Sequence, residues 1–363
     1  MAPVPMRRPG RAASMADLAL PAWATGLPHH LPPGLLAPGA MAVAATELRM
    51  RAAFTDTPPA SSRLPFSYQA IPGPLRRLLA NGIGRLQRLR QAQWARYPGW
   101  PLDLSADIAA DLAGSPGVTF ARTPVLLTHD IDSPEGLRNL HRMFLPLEEA
   151  VGARSANYIV PCAWPVDDAV VQDLLARGHE VGVHGYDHAN RTAFAEPTER
   201  EARLAAGHAF AQRHGGAGYR APSLLRTRAL IEALQPLYRY DSSIPTSGGA
   251  FPVPNNGCAS ARPWRFGRMW ELPLSMPRDG SLRFLGHSPT GIGALWREVA
   301  LRIAASGGIV NLLTHCEAGF SGNPPMLAAY RGFLEWAAAD ARFELMLPIE
   351  LVNRLDRDWP PAA

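Results

Sequence analysis

Lysine is missing from this chain, and all 36 of its basic residues are arginine. The absence excludes a lysine Schiff base, a pyridoxal-dependent enzyme and a P-loop, because each of these needs a lysine amine. Cysteine is scarce, and Cys162, Cys258 and Cys316 lie far apart in the sequence. Three dispersed cysteines form neither a disulfide framework nor a structural zinc site, and they favour a reducing compartment.

Long apolar runs are lacking too, whereas a membrane-spanning helix needs about 20 predominantly apolar residues. The sequence therefore predicts no transmembrane segment. Hydrophobic residues make up 47% of the 363 residues, enough for a large core, which excludes a disordered or fibrous protein. The net charge of +5 is modest and no basic run carries interleaved aromatic residues, so nucleic acid is not an expected partner.

Residues 1–60 are rich in proline, alanine and glycine and show no periodicity. That composition is typical of a flexible, disordered arm. Arg7 and Arg8 precede an apolar run that offers an alternative, a weak export signal, but Pro21 interrupts the run. Without a clear export signal, we expect the protein to be cytoplasmic.

Residues 61–120 are predicted to form a basic helical extension. From Pro74 to Tyr97, leucines and Ile83 recur at helical spacing among arginines. A helix of this kind packs on the domain that follows it or lies weakly against a membrane surface. Packing on the domain is the favoured interpretation, and membrane contact is the open alternative.

Residues 121–356 show a different pattern, in which short apolar runs alternate with helical segments. The first run, Val125–Thr128, predicts a buried strand, and Ser133 and Pro134 then predict the start of a helix. This alternation indicates an α/β fold, and its length favours a distorted (β/α) barrel of about seven to eight parallel strands. An open doubly wound sheet is the alternative, although no glycine-rich nucleotide loop follows a strand.

Polar residues follow five of the predicted strands, at the ends where such a barrel carries its working residues. Taken singly they are ordinary, because paired acids often cap helices and a His-x-x-x-His pair is often surface polarity. Asp130 and Asp132, however, come directly after an apolar strand, where burial is costly unless a cation compensates. The residues at these ends are His129, Asp130, Asp132, His184, Asp187, His188, Arg220, Asp241, Ser242, Ser243 and His315.

One carboxylate and two neutral imidazoles suit zinc or a similar divalent ion and leave positions open for water and substrate. Such an ion polarises a carbonyl oxygen and lowers the pKa of water toward ~7. The remaining acids and imidazoles are then available as base and acid. The sequence therefore predicts a divalent metal site at this rim.

The motifs resemble, in order, those of the NodB-type polysaccharide deacetylases, carbohydrate esterase family four. The resemblance covers about residues 121–355, and the first 120 residues have no assigned counterpart. The matching segments are Thr128–Asp132 for the acid pair, His184 and His188 for His-x-x-x-His, Arg220–Pro222 for Arg-x-Pro, Asp241–Ser243 for the aspartate after a strand, and Leu313–His315 for Leu-x-His.

The resemblance implies a metal-dependent hydrolase of carbon–nitrogen amide bonds that removes N-acetyl groups from a carbohydrate. The substrate would be an N-acetylhexosamine-containing glycan, glycolipid or sugar precursor. Asp132, His184 and His188 would bind the metal, with zinc the favoured ion. Asp130 would be the catalytic base, and Arg220 would pair with it and hold it charged.

The resemblance also implies roles around the reacting carbonyl. His315 would protonate the departing amine, and Asp241 would orient or charge that imidazole. Leu313 would line the acetyl pocket, and a backbone N–H near Ser223 would contribute to an oxyanion site. Trp270 is a candidate for a sugar-stacking face, with a core position as the equal alternative.

Two positions depart from the pattern of the resembled family. Ile131 separates two acids that many members carry side by side, and Ser223 stands where tyrosine is frequent. His129 is an extra imidazole, for which metal or substrate contact is weighed against strand packing. Three alternatives stay open: a hydrolase of small non-sugar amides similar to allantoinase, a non-catalytic carbohydrate-binding relative, and a membrane-surface scaffold using Arg76 to Arg96.

Overall fold

A computed structural model describes residues 73–249 and 257–360, together with 24, 45–46, 49–50, 54, 57–59, 62 and 71. The predicted flexible arm, residues 1–60, lies almost entirely outside the described residues. The division of the chain into arm, extension and barrel stays a prediction.

A large curled sheet dominates the described chain. Its strand order is β10-β3-β4-β5-β6-β7-β9-β8, β11 pairs with the beginning of β3, and a separate two-stranded sheet joins β1 to β2. Within the large sheet neighbouring strands are parallel, except for the antiparallel pair of β8 and β9. The strands are β1 (Pro98–Gly99), β2 (Leu102–Asp103), β3 (Thr123–Ile131), β4 (Ser155–Ile159), β5 (Glu180–Val183), β6 (Gly218–Tyr219), β7 (Tyr240–Asp241), β8 (Trp264–Phe266), β9 (Met269–Glu271), β10 (Val310–His315) and β11 (Phe343–Leu345).

Hydrogen bonds beyond the strands bring the two sides of the curled sheet together. Ser275, in the segment after β9, donates from Oγ to the carbonyl oxygen of Ile309 at 2.6 Å. The same hydroxyl accepts from the N–H of Asn311 at 2.9 Å, and the N–H of Met276 donates to the carbonyl oxygen of Asn311 at 3.3 Å. The segment after β9 therefore reaches β10, and the predicted distorted barrel with a mostly parallel sheet is confirmed.

Helices connect the strands, as the alternating pattern predicts. A π turn over Leu140–Phe144 joins α3 to α4, so the helix predicted from Pro134 is interrupted. The helices are α1 (Gly73–Gln87), α2 (Ser105–Leu112), α3 (Pro134–Asn139), α4 (Leu145–Glu149), α5 (Asp168–Ala176), α6 (Pro197–His214), α7 (Arg228–Leu234), α8 (Asp279–Phe284), α9 (Pro289–Ser306), α10 (Pro324–Ala339) and α11 (Pro348–Asp358).

Local sequence signals set several of these helix ends. Ser133 caps α3 by accepting from the N–H of Gly136 at 3.1 Å, and Pro134 follows at the first helical position. Gly215 ends α6 with a φ of 66°, a left-handed conformation that glycine adopts without the steric penalty of a Cβ. The connection from β3 into its helix, which follows the candidate site, is therefore encoded locally.

The central strand β3 is buried over all nine residues, three residues longer at its end than the sequence predicts. It continues because β10 and β4 pair with it on both sides up to Asp130 and Ile131, so its backbone polar groups stay bonded. In this register His315 lies directly beside Asp130. The polar end of β3 is thus carried into the interior.

The two faces of the sheet pack into two clusters, as the period of two in a strand requires. Val125 and Leu127 join a large cluster that includes Trp296 of α9 and Phe333 of α10. Leu126, between them, joins a second cluster that also contains residues of α11. Among the helices of the described residues, none combines the length and hydropathy needed to cross a bilayer.

Part of the predicted helical extension is bonded to the barrel through buried acids of α2. Asp107 accepts from the hydroxyl of Ser260 at 2.5 Å and from the N–H of Ala261 at 2.8 Å. Asp111 binds both terminal nitrogens of Arg262, at 2.6 and 2.9 Å. Helix α2 and residues 260–262 therefore share one polar network.

Candidate metal centre

Two imidazoles and a carboxylate meet where β3 and β5 end. Oδ1 of Asp132 lies 3.5 Å from Nε2 of His184 and 3.4 Å from Nε2 of His188. Ligand atoms of the three side chains all lie within 4.8 Å of one another. The structure thus brings together the three residues that the sequence predicts as metal ligands.

The distances between the ligand atoms and the unsatisfied state of Oδ1 of Asp132 both fit a small divalent ion. Around a tetrahedral zinc with bonds near 2.1 Å, neighbouring ligand atoms are about 3.4 Å apart, close to the observed separations of 3.4 and 3.5 Å. Oδ1 of Asp132 is buried and has no hydrogen-bond partner. A buried carboxylate oxygen without a donor is costly, and a cation between the three atoms would remove that cost.

His184 is oriented for metal binding by the backbone. Its Nδ1 lies 3.0 Å from the carbonyl oxygen of Arg220. A carbonyl oxygen only accepts, so Nδ1 carries the hydrogen and Nε2 presents its lone pair toward Asp132. Burial lowers the pKa of His184 although the charge of Asp130 opposes this, which favours the neutral ring that a metal ligand requires.

The loop after β5 adopts a constrained backbone to place the second imidazole. His188 has a φ of 57°, in the left-handed region that residues other than glycine rarely adopt. Gly185 has a φ of 66°, and a Cβ there would collide with the ring of Pro222. Conformations of this kind are concentrated at functional sites, where surrounding contacts hold them.

Arg220 is fully buried and binds Asp130 through a network of hydrogen bonds. Its Nη1 donates to Oδ1 of Asp130 at 2.9 Å, and its Nε donates to the carbonyl oxygen of Ser242 at 2.9 Å. Nη2 donates to the hydroxyls of Thr128 at 3.1 Å and Ser242 at 3.0 Å. The guanidinium also stacks 3.9 Å above the ring of Tyr158. The predicted pairing of Arg220 with Asp130 is therefore present in the structure.

Neighbouring positive charges keep the carboxyl of Asp130 ionised. Burial alone would raise the pKa of Asp130, but its interactions with the neighbouring His184 ring, the Arg220 guanidinium and the protonated His315 outweigh burial and lower the pKa to about 2. Oδ2, the oxygen that Arg220 does not bind, lies 3.5 Å from Nε2 of His184. Asp130 therefore directs a charged oxygen toward the metal triad.

His315, at the end of β10, forms a pair with Asp279 at the start of α8. Its Nδ1 lies 2.9 Å from Oδ1 of Asp279. Oδ2 of Asp279 accepts from the backbone N–H of His315 at 2.8 Å and from the hydroxyl of Ser321 at 2.7 Å. Burial would lower the pKa of His315, but the charge and hydrogen bond of Asp279 raise it to about 10. The ring is therefore protonated at neutral pH, as an acid must be.

This pair corrects the role expected for Asp241. The carboxylate of Asp241 accepts from the hydroxyl of Ser243 at 2.7 Å and from its N–H at 3.2 Å, and burial raises its pKa. Ser243 thus engages the carboxylate of Asp241, whereas the segment after β9 reaches β10 and brings Asp279 to the ring of His315. An acid at the first turn of a short helix was the only sequence signal for Asp279.

Trp270 lies in the core rather than at the candidate site. It is 3% exposed, its indole Nε1 donates to Oδ1 of Asp356 at 2.8 Å, and Arg265 stacks 4.0 Å from its ring. The ring packs in the cluster that contains Leu351 of α11. The expected sugar-stacking role of Trp270 is therefore replaced by its alternative, a core position.

Leu313 lies in a small apolar cluster, and Ser223 directly precedes another member of that cluster, Leu224. Leu313 packs with Leu224 and Leu274, and all three are buried. Ser223 has a φ of 52° and a buried hydroxyl without a hydrogen-bond partner. Leu313 lies on β10 together with His315, and Ser223 lies in the loop after Arg220. Leu313 and Ser223 therefore stay candidates for acetyl and oxyanion contacts.

The extra imidazole, His129, is a packing residue. Its Nδ1 lies 2.8 Å from the hydroxyl of Thr314, and its Nε2 lies 2.7 Å from Oε1 of Glu148. That carboxylate oxygen also accepts from the hydroxyl of Tyr330 at 2.8 Å. Both ring nitrogens are engaged away from the triad, so the strand-packing interpretation of His129 holds.

Two further residues support the site. Oε1 of Glu317 accepts from the backbone N–H of Asp132 at 3.2 Å and from the hydroxyl of Ser133 at 2.7 Å. Burial and the nearby charge of Asp132 raise the pKa of Glu317 to about 8. Arg278 is half-buried near Asp130 and Asp279, and desolvation lowers its pKa to about 10. In the sequence, the position of Glu317 two residues after His315 was the signal that could have identified this glutamate. No sequence signal pointed to Arg278.

Comparison with known proteins supports the fold. No protein-family model and no curated protein matches the sequence. Among solved structures, a protein from Mycobacterium smegmatis assigned as a polysaccharide deacetylase is 17% identical and aligns over 68% of this chain and 97% of its own. A protein from Pseudomonas aeruginosa PAO1 with the same assignment is 13% identical, covering 72% of this chain and 100% of its own. The Puue allantoinase is 13% identical, covering 73% and 100% respectively.

Each of these three alignments has a TM-score of 0.54. At such low identity the likeness concerns the fold, and the chain has the fold that the polysaccharide deacetylases and the allantoinase share. The expected NodB-type deacetylase fold is therefore confirmed. The shared fold does not itself choose between a sugar and a small amide as substrate.

Proposed function

We propose that this protein is a metal-dependent hydrolase that removes N-acetyl groups from a carbohydrate. The observation that carries the proposal is the orphaned Oδ1 of Asp132, buried between the Nε2 atoms of two histidines. The charged carboxylate of Asp130 and the protonated imidazole of His315, which lie beside each other on β3 and β10, complete the set that amide hydrolysis needs. Paired groups whose pKa values are driven apart are typical of a base and an acid.

Asp132, His184 and His188 would hold the ion, and zinc suits this donor set best. A divalent ion there would polarise the acetyl carbonyl and make the attacking water more acidic. Asp130 accepts the proton that leaves this water, and Arg220 holds the carboxylate in place through the bond at 2.9 Å. Glu317 positions Asp132 by accepting from its backbone N–H.

His315 supplies the second proton. As the bond between the carbonyl carbon and the amide nitrogen breaks, the imidazole protonates the nitrogen, which leaves as a free amine while the acyl group becomes acetate. Asp279 keeps the ring oriented and charged for this step. Asp279 thus takes the positioning role that the sequence resemblance gave to Asp241.

A pocket beside this machinery supports a sugar substrate. It is open to solvent and is lined by Trp94, Trp100, Leu274 and Arg278 among others. Leu274 also packs on Leu313, the residue expected to line the acetyl pocket. Indole rings next to polar groups suit the apolar faces and hydroxyls of a sugar ring. Two of the structural relatives are assigned as polysaccharide deacetylases, which favours the same substrate class.

The second candidate is the hydrolysis of a small non-sugar amide, and the equally good alignment with the Puue allantoinase favours it. The substrate panel of the test therefore includes allantoin beside N-acetylhexosamine oligomers.

The compartment is part of the proposal too. For either substrate, the free state of Cys162, Cys258 and Cys316 supports a cytoplasmic enzyme.

The test combines metal analysis with product assays. We expect the full chain to bind about one zinc ion and to release acetate from N-acetylhexosamine oligomers. The release of acetate should stop when a chelator is added. Asp132→Asn should lose both metal and activity, whereas Asp173→Asn, which changes an exposed acid on α5, should keep both. Hydrolysis of allantoin without acetate release would select the second candidate. Wild-type activity in a metal-free Asp132→Asn protein would overturn the site.

A further inference from the structure

Helix α1 turns its apolar side toward solvent. Leu78 is 69% exposed, Leu86 72%, and Leu89, in the 3₁₀ turn over Arg88–Gln93 that continues α1, 86%. Leu75, Leu79 and Ile83 are exposed as well. At 100° per residue the members of this set that belong to α1 fall on one side of the helix. These six residues are called here the apolar face of α1. Among the described residues, they are the large apolar side chains that are exposed.

The opposite side of the helix is the one that contacts the barrel. Ala80 is buried, and a Cβ on Gly84 would collide with the backbone carbonyl of Phe284 at the end of α8. A helix that packs on a domain normally does the reverse, burying its large apolar residues and exposing its small or polar ones. The orientation of α1 is therefore fixed by a close approach at Gly84 that leaves the leucines free.

The stretch of chain that carries the apolar face is basic. Between Asp56 and Asp103 the sequence contains no acidic residue. Arg85, Arg88 and Arg90 are exposed on α1 and the 3₁₀ turn. The arginines of this stretch are Arg63, Arg76, Arg77, Arg85, Arg88, Arg90 and Arg96.

We propose that the apolar face of α1 docks the protein onto an anionic phospholipid surface. Leucines on one face with arginines around them match the pattern of interfacial helices, whose apolar side enters the acyl boundary while the cations meet lipid phosphates. A second copy of this chain is a poorer occupant, because face-to-face pairing would bring two sets of arginines together without an acid to neutralise them.

Docking would place the candidate active site next to the lipid surface. Gly84 and Gln87 of α1 line the same pocket as Trp94, Trp100 and Arg278, and Arg278 precedes Asp279, the partner of His315. The next step rests on the proposed function. The substrate is an acetamido sugar that is carried by a lipid anchor. A glycolipid would present its head group to the pocket while its chains stay in the membrane.

Vesicle sedimentation of the full chain tests the docking without any substrate. We expect the protein to sediment with vesicles of phosphatidylcholine containing a quarter phosphatidylglycerol, and to bind about tenfold less to phosphatidylcholine alone or at high salt. The double variant Leu78→Glu/Leu86→Glu should lose binding by about tenfold or more. The matched control Ala338→Glu/Ala339→Glu, with the same charge change on exposed positions of α10, should bind like wild type.

Three results would overturn the docking proposal. They are wild-type protein that stays in the supernatant with anionic vesicles, a double variant that binds as well as wild type, and a concentration-dependent dimer in sedimentation velocity that the double variant abolishes. Acetate release from a soluble oligomer should be equal in wild type and double variant, because neither leucine contacts the metal triad. Failure of acetate release in all proteins would contradict the proposed function but would leave the vesicle result intact.

Discussion

Asp279 holds the imidazole of His315, with its Oδ1 2.9 Å from Nδ1 of the ring and its Oδ2 bound to the backbone N–H of the same residue. The pair joins the first turn of α8 to the last residue of β10. Both ends of the carboxylate are used, so the ring has one orientation and a raised pKa of about 10. In the proposed mechanism, the proton for the leaving amine depends on this one contact between distant parts of the chain.

Replacement of Asp279 by asparagine should shift the titration of His315. Removing an adjacent carboxylate is expected to lower the pKa of the ring by about 2. Because the folded-state pKa is raised, the pair stabilises the fold fully below pH ~6.5, and this contribution is lost as the pH rises through about 10. We expect Asp279→Asn to weaken that pH dependence of unfolding, because the folded-state pKa of His315 then lies closer to the unfolded value, and to lower kcat by about 100-fold.

Nuclear magnetic resonance of the His315 ring and denaturant unfolding across pH measure these effects. Asp241→Asn is the comparison variant, because Asp241 contacts Ser243 rather than His315. An Asp241→Asn protein whose His315 titration moves as far as that of Asp279→Asn would contradict the assignment.

Arg220 should be essential for stability as well as for activity. Arg220→Met leaves Asp130 buried and without its cation, at a cost of about 3–5 kcal/mol in the free energy of unfolding. Arg220→Lys keeps the charge but cannot reproduce the fork of bonds to Asp130, Ser242 and Thr128, so its activity should also fall. Urea unfolding and acetate release measure the two effects, and a fully stable, active Arg220→Met protein would disprove the role.

Trp270 should matter for folding and not for substrate binding. Trp270→Phe keeps an aromatic ring but loses the hydrogen bond to Asp356, at a cost of about 0.5–1.5 kcal/mol. We expect KM for an N-acetylhexosamine oligomer to stay unchanged while the Tm falls. A raised KM with an unchanged Tm would return Trp270 to the substrate site.

Asp107 should tie the helical extension to the barrel. Asp107→Ala leaves the N–H of Ala261 and the hydroxyl of Ser260 without their acceptor, and each buried loss costs about 1–3 kcal/mol. Because the network is shared, we expect one cooperative unfolding transition at a lower denaturant concentration. Two separate transitions, with only the first shifted, would show that the extension folds independently.

Much of the site follows from short-range pattern. His184 and His188 lie in one loop, four residues apart, and Asp130 and Asp132 follow one apolar run, so their placement at strand ends needs only the helix and strand alternation. Parallel strands then bring those ends to one edge. The need for a compensating cation beside Asp130 also follows, since two acids at the end of a buried strand are costly without one, whereas the choice of Arg220 came from the family resemblance.

The wrong predictions for Asp241 and Trp270 share a physical cause. Both depend on contacts between segments that are far apart in the sequence and meet only when the curled sheet closes. Asp279 reaches His315 because Ser275 bonds to β10 and returns the chain after β9 to the far side of the sheet. Trp270 and Glu271 alternate on β9, and the contact with α11 decides that the indole enters the core. Neither contact leaves a periodic signal in the residues near it.

By itself, the sequence determined the alternation of strands and helices, the caps at Ser133 and Gly215, and the three side chains suited to a divalent ion. These depend on backbone sterics and on residues close together in the chain. Only the tertiary structure decided which acid charges His315, that His129 packs against Glu148, and that α1 faces outward with its leucines. Those outcomes depend on how the curled sheet closes and on the close approach at Gly84, where distant segments compete for the same contacts.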